Sequence, residues 1–86
     1  MSKYSTVFKI EAQAELRKIP REHAMTILRK LAELESDPFA FDTKVMVGFP
    51  GHRRLRVGDY RVVYTVDQGH LVVIVVHLGH RSSVYD

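Results

Sequence analysis

The feature that most constrains the fold is the stretch from Gly51 to Asp86, in which apolar, β-branched runs are separated by Gly58-Asp59 and by Gln68-Gly69. Gly and Asp are typical of two-residue hairpin loops, so this pattern predicts a three-stranded antiparallel meander. A two-residue loop also sets the register of its strands, because side chains alternate between the two faces of a sheet. The loops therefore predict which residues share a face.

One predicted face is basic and the other is apolar. The first loop places four cationic or titratable side chains on one face: His52, Arg54, Arg56 and Arg61. The second loop, taken as two residues, places Arg61 opposite Val76 and adds an apolar floor of Val63, Val72, Ile74 and Val76. The other face is apolar enough to be the core, with Leu55, Val57, Tyr60, Val62, Tyr64, Val66, Leu71, Val73 and Val75.

The N-terminal half predicts one strand and two helices. Tyr4 to Ile10 has the composition of a strand, and Lys44 to Met46 is a possible short one. Apolar residues at helical spacing indicate a first helix that stops at Pro20 and a second that ends at Asp37-Pro38, with the second stripe formed by Ala24, Ile27, Leu28, Leu31 and Leu34. We expect a single small α+β domain over residues 1–86: strand, helix, helix, then a three- to four-stranded antiparallel meander, with both helices on one sheet face.

The excess positive charge lies in the C-terminal half. Lys and Arg number seven against seven Asp and Glu up to Thr43, and six against three from Lys44 onward, which accounts for the net charge of +3. A basic surface on a small domain favours a polyanionic partner. The chain has no Cys and no apolar stretch that would cross a bilayer, so we expect a cytoplasmic protein without a membrane partner.

The sequence lacks the motifs of most enzyme classes, which narrows the candidate chemistry. The sequence has no Gly-rich phosphate loop, no serine nucleophile motif and no acidic cluster for Mg²⁺. His77 and His80 lie three residues apart, but no Cys or carboxylate accompanies them, so we expect no metal and no cofactor. Several Arg side chains with His52, His80 and Tyr85 suit a phosphodiester, because Arg binds phosphate oxygens bidentately and His moves protons near neutral pH. RNA carries its own nucleophile, the 2′-hydroxyl.

The same residues resemble a known family. LRVGDYRVVY at residues 55–64, Gly-His-Arg at 79–81 and Val-Tyr at 84–85 are similar to the C-terminal half of the RelE toxins of bacterial and archaeal toxin–antitoxin systems. The order of strand, helices and meander extends the resemblance over nearly the whole chain. It implies an mRNA interferase that cleaves the message in the A site of the 30S ribosomal subunit, leaving a 2′,3′-cyclic phosphate and a 5′-hydroxyl, and a cognate antitoxin that binds the toxin in a hetero-oligomer.

The resemblance also implies roles for single residues. Arg61 matches the phosphate-stabilising arginine, Arg81 the proposed general acid, and Tyr85 the tyrosine that stacks on or orients the cleaved nucleotide. Arg54 and His52 occupy strand positions where RelE toxins often have lysines. Since arginine is a poor base, we interpret Arg54 as a phosphate clamp and His52 as the first candidate for the general base, with His80 as its rival. Arg53, Arg56, Lys44 and His80 are the expected RNA-binding residues.

Two other functions stay open at this point. The RelE/ParE superfamily shares one architecture, and a ParE-like toxin poisons DNA gyrase without cutting RNA. A non-catalytic module of the same fold that only binds an antitoxin or a nucleic acid is the other alternative. The joint presence of Arg54, Arg61, Arg81 and Tyr85 favours the ribonuclease, whereas the absence of the lysines counts against it.

Overall fold

The computed structural model describes residues 3–40 and 42–80. Two helices and five strands follow one another in the order β1 (Ser5–Phe8), α1 (Ile10–Arg17), α2 (Arg21–Leu34), β2 (Thr43–Val45), β3 (His52–Val57), β4 (Tyr60–Asp67) and β5 (Val72–His80). Pro20 occupies the N-cap of α2, where its missing N–H costs no helical hydrogen bond. Neither helix is long and apolar enough to cross a membrane. The predicted α+β class and element order are confirmed.

The five strands form one mixed sheet in the order β1-β5-β4-β3-β2. The meander occupies its centre, β2 lies at one edge, and β1 lies at the other edge, parallel to β5. The parallel strand is anchored by backbone hydrogen bonds from Ser5 N–H to the Leu71 carbonyl and from Lys9 N–H to the Val75 carbonyl, of 3.0 and 2.9 Å. Turn patterns predict pairing between neighbours in sequence, so they did not predict this pairing of the first strand with the last.

Both helices cover one face of the sheet, as predicted. The buried core joins Ala12 of α1 and Ile27, Leu31 and Leu34 of α2 to the apolar face of the strands, with Leu55, Val57, Val62, Tyr64, Val73, Val75 and Leu78. Leu28 is 38% exposed, so the buried stripe of α2 is narrower than the sequence predicted. The hydroxyl of Tyr64 donates a buried hydrogen bond of 2.6 Å to the Pro38 carbonyl, which ties the segment after α2 to the sheet centre.

The first hairpin has the predicted two-residue loop and register. Val57 pairs with Tyr60, Leu55 with Val62 and Arg56 with Arg61. Gly58 has a φ of +58°, a left-handed conformation that glycine adopts without steric cost. The predicted division between a basic and an apolar face is therefore correct for β3 and β4.

The second hairpin differs from the prediction. Its loop has four residues, 68–71, because Asp67 pairs with Val72. The Asp67 carboxylate accepts the backbone N–H of His70 at 3.0 Å and approaches the His70 ring nitrogen Nδ1 at 2.9 Å, which stabilises the longer turn. Leu71 lies in this loop with a φ of +56° and is 36% exposed, so its predicted place in the core was wrong.

An irregularity in β5 changes the register a second time. Tyr64 pairs with Val75, but its neighbour Val63 pairs with His77, so Val76 has no partner residue on β4. Arg61 consequently lies opposite Gly79, and the predicted pair with Val76 was wrong. The extra residue turns Leu78 into the core, where it is fully buried opposite Val62, and places His80 opposite Tyr60.

Candidate nucleic-acid interface

Two pairs of like charges lie directly opposite each other on the sheet face that the helices leave open. Lys44 on β2 pairs with Arg54 on β3, and Arg56 on β3 pairs with Arg61 on β4. Directly opposed side chains have Cβ atoms roughly 4.5–5.5 Å apart, and like charges at that distance destabilise a sheet. The four residues, called the basic face below, therefore concentrate positive charge on one surface of the sheet.

Arg61 is the most enclosed residue of the basic face. It is 7% exposed, while Arg54 is half-buried and Arg56 and Lys44 are exposed. Its position on the central strand β4, between Arg56 and the small Gly79, accounts for the enclosure. A guanidinium held in such a site is fixed in orientation and partly removed from water. An anion that reaches it meets a preorganised cation, which is the arrangement that stabilises developing charge in a transition state.

His52 lies at the start of β3, on the same face as Arg54 and two residues from it. Its ring nitrogen Nδ1 lies 3.0 Å from the Pro50 carbonyl oxygen. Because a carbonyl only accepts hydrogen bonds, this contact assigns the proton of a neutral imidazole to Nδ1 and leaves the lone pair on Nε2. In the neutral ring, Nε2 is then the nitrogen of His52 that can accept a proton.

Two of the expected RNA-binding residues lie on the other face. Arg53 pairs with Tyr64, donates a 2.9 Å hydrogen bond from Nη2 to the Thr43 hydroxyl, and holds its guanidinium 5.2 Å from the centroid of the Phe39 ring. His80 pairs with Tyr60 on the side of the helices. The structure therefore brings together His52, Arg54, Arg56, Arg61 and Lys44, but neither Arg53 nor His80 joins them.

Arg81 and Tyr85, both expected at the catalytic site, lie outside the described residues. The predicted roles of these two side chains stay predictions. In the described ranges 3–40 and 42–80, no three His, Asp or Glu side chains are arranged to hold a metal ion.

The contact of His23 with Tyr60 was missed by the sequence interpretation. His23 lies on α2, and its ring centroid is 5.2 Å from that of Tyr60 at the first hairpin. No sequence pattern indicates that the exposed His23 contacts a residue 37 positions away, because only the packing of α2 on the sheet brings the two rings together.

Comparisons with known proteins agree with this architecture. The family model of the ParE toxin of type II toxin–antitoxin systems, parDE, matches residues 7–85. Toxin RelE of Mycobacterium tuberculosis is 29% identical over 83 residues, which cover 95% of this chain and 86% of the relative.

Solved structures of RelE toxins have the same fold. The isolated E. coli RelE toxin superposes with a TM-score of 0.79 at 28% identity, covering 90% of this chain and 83% of the other. The toxin of the intact E. coli RelBE toxin–antitoxin complex gives 0.80 at 26% identity, with 90% and 95% covered. The chain belongs to the ParE toxin family of type II toxin–antitoxin systems, within the RelE/ParE superfamily.

Proposed function

We propose that this toxin is a ribosome-dependent mRNA interferase, a metal-free endoribonuclease that inhibits translation. The observation that carries the proposal is the presence of two opposed pairs of cationic side chains on one sheet face, Lys44 with Arg54 and Arg56 with Arg61. An RNA backbone crossing that face brings phosphates close to both pairs, and each phosphate neutralised releases counterions. The identities of 26–29% to RelE toxins give the proposal independent support.

The reaction needs one base, one cation cluster and one acid. Nε2 of His52 takes the proton of the 2′-hydroxyl, and the 2′-oxygen then forms a bond to the adjacent phosphorus. Arg61, with Arg54 as a clamp, stabilises the negative charge of the pentacoordinate phosphorane. The bond from phosphorus to the 5′-oxygen breaks, and that oxygen receives a proton from Arg81 in the role implied by resemblance. The products are a 2′,3′-cyclic phosphate and a 5′-hydroxyl, with Tyr85 stacked on the cleaved nucleotide.

A cognate antitoxin and a cytoplasmic site of action complete the proposal. The structural relatives include the intact E. coli RelBE toxin–antitoxin complex and the archaeal RelE–RelB complex from Pyrococcus horikoshii OT3. We expect an antitoxin to bind this chain in the same way and to suppress its activity in a hetero-oligomer.

A gyrase-poisoning toxin is the second candidate, because the family model that matches residues 7–85 is described as a ParE toxin. Primer extension on mRNA from cells in which the toxin is induced separates the two. The interferase produces cuts in phase with codons, which disappear in Arg61→Ala and in Arg81→Ala. Intact mRNA with trapped DNA breaks would contradict the interferase and support the gyrase poison.

A further inference from the structure

A cluster of three rings lies at the end of the sheet where the first hairpin turns. The Tyr60 ring lies 5.2 Å from the ring of His23, at an interplanar angle of 41°, and 5.8 Å from the ring of His80, which approaches it edge-on at 78°. Tyr60 is half-buried, whereas His23 and His80 are exposed. Tyr60 packs against the edge of the core, and the cluster presents ring surface to solvent through the two His rings.

Two open depressions adjoin the cluster, and Tyr60 and His80 line both. Their volumes are about 310 and 320 Å³, large enough for a purine base. The first is completed by polar side chains from α2 and the hairpin loop, His23, Thr26 and Asp59, and the second by residues at the end of α1, Glu15, Lys18 and Ile19. The rings of Tyr60 and His80 therefore border both depressions, with acceptor oxygens of Thr26 and Asp59 in the first and Lys18 in the second.

The ring cluster is continuous with the basic face through the hairpin end of the sheet. Tyr60 directly precedes Arg61 on β4, so the two side chains point to opposite faces from neighbouring positions. On β5, His80 follows Gly79, which is the partner of Arg61. An RNA strand held at the Arg56–Arg61 pair reaches the rings by passing over this end of the sheet.

We propose that Tyr60 and His80 form a stacking site for one nucleobase of the RNA strand bound at the basic face, outside the nucleotide that is cleaved. This inference rests on the proposed function. Proteins that bind single-stranded RNA combine cationic surface for the backbone with aromatic rings for the bases. The Asp59 carboxylate and the Thr26 hydroxyl accept hydrogen bonds from an exocyclic amino group, so the site favours adenine, cytosine or guanine over uracil.

The test uses the full chain and a fluorescein-labelled hexanucleotide that is 2′-O-methylated throughout, so that it lacks the nucleophile. Fluorescence anisotropy measures its affinity for the wild type, Tyr60→Ala, Tyr60→Phe and His80→Ala. We expect Tyr60→Ala to weaken binding about tenfold and His80→Ala about threefold, since stacking supplies that part of the affinity. Tyr60→Phe keeps the ring and stays within about twofold of the wild type. Circular dichroism confirms that each variant is folded.

Single abasic positions in the oligonucleotide locate the base. At one position, we expect removal of the base to weaken binding to the wild type about tenfold. The affinity of Tyr60→Ala should not change at that position, because this variant already lacks the ring on which the base stacks. Equal losses in both proteins at every position, or wild-type affinity in both Tyr60→Ala and His80→Ala, overturn the inference. The inference is also overturned if Tyr60→Ala loses antitoxin binding and keeps its RNA affinity, because the ring cluster then binds the antitoxin and not a nucleobase.

Arg56→Ala separates this inference from the proposed function. If Arg56→Ala weakens RNA binding and Tyr60→Ala does not, the stacking site alone is wrong. If the wild-type protein binds no RNA, the stacking site is wrong, whereas the primer-extension experiment still decides the proposed ribosome-dependent cleavage.

Discussion

The two faces of the sheet carry different kinds of side chain, apolar on one and cationic on the other. On the helix-covered face, apolar side chains such as Leu55, Val62 and Tyr64 are at most 1% exposed, and each contributes to folding. On the open face, Arg56 lies opposite Arg61 and Lys44 opposite Arg54, so four cationic side chains are concentrated on one surface. The helix-covered face supports folding, whereas the concentrated charge of the open face is what the proposed binding of an RNA backbone requires.

The largest effect is expected from a cavity beneath the helix-covered face. Leu31→Ala should lower the free energy of unfolding by about 2–5 kcal/mol, because Leu31 is 2% exposed within the core. Urea denaturation followed by circular dichroism measures the loss. The RNA affinity of the folded fraction should stay unchanged, and a parallel loss of affinity would break the division between the two faces.

The next effect is expected at the buried cation of the open face. Arg61→Gln removes the charge while keeping much of the side-chain length, and should lower the single-turnover cleavage rate at least 100-fold, as loss of one preorganised donor to a transition state does. Cleavage is measured in a translating extract with a folded variant. A rate within threefold of the wild type would remove Arg61 from the mechanism and leave the charge pairs without a catalytic role.

The third prediction concerns the proton transfer assigned to His52 on the open face. His52→Ala should lower the single-turnover rate at least tenfold, about 1.4 kcal/mol, while RNA affinity changes little. His80→Ala is compared at saturating RNA, where its weaker binding does not limit the rate, since His80 lies on the helix side opposite Tyr60 and away from the basic face. If His80→Ala slows the chemical step and His52→Ala does not, the general base has been assigned to the wrong histidine.

A smaller change is expected at the turn that the sequence did not predict. Leu71→Gly should raise the free energy of unfolding by about 0.5–1 kcal/mol, because glycine adopts the φ of +56° without the Cβ clash of leucine. Thermal unfolding measures the gain, with cleavage unchanged. Destabilisation instead would show that the contacts of the Leu71 side chain outweigh its backbone strain.

The smallest effect concerns the same turn and depends on pH. The hydrogen bond from the His70 backbone N–H, followed by that from the His70 ring, holds the pKa of the Asp67 carboxyl below its ordinary value of 3.8. The ionised form is therefore favoured by folding, and its contribution to stability is present above that ordinary pKa and lost as pH falls through the lower folded value. Asp67→Asn should unfold at a lower temperature than wild type near neutral pH, and the difference should shrink toward pH 3. A difference independent of pH would contradict this.

Turn motifs and side-chain alternation predicted those parts of the fold that depend on residues close together in the sequence. The loop at Gly58-Asp59 gave the register of the first hairpin and with it the shared face of Arg54, Arg56 and Arg61. The two-residue loop predicted at Gln68-Gly69 was wrong, because the Asp67 carboxylate binds His70 and closes a four-residue loop. The register change beyond Val75 depends on packing of Leu78 into the core, which no turn motif records.

The candidate site was predictable to the same extent. The faces assigned by alternation along β3 were correct. Arg53 lies on the core side opposite Tyr64, as that register implied, although we had expected it among the RNA-binding residues. The pairing of Lys44 with Arg54 and the contact of His23 with Tyr60 depend on tertiary structure. Sequence alone therefore located the charge on the sheet but not the full set of residues around it.

The salt dependence of RNA affinity tests most directly whether the open face is the anion-binding surface. Arg56→Ala and Arg29→Ala each remove one charge from an exposed position, the first on the basic face and the second on α2. For a single strand, each lost phosphate contact lowers the slope of log affinity against log salt by about 0.7. We predict that decrease for Arg56→Ala and an unchanged slope for Arg29→Ala. Equal slopes in the two variants would contradict the account.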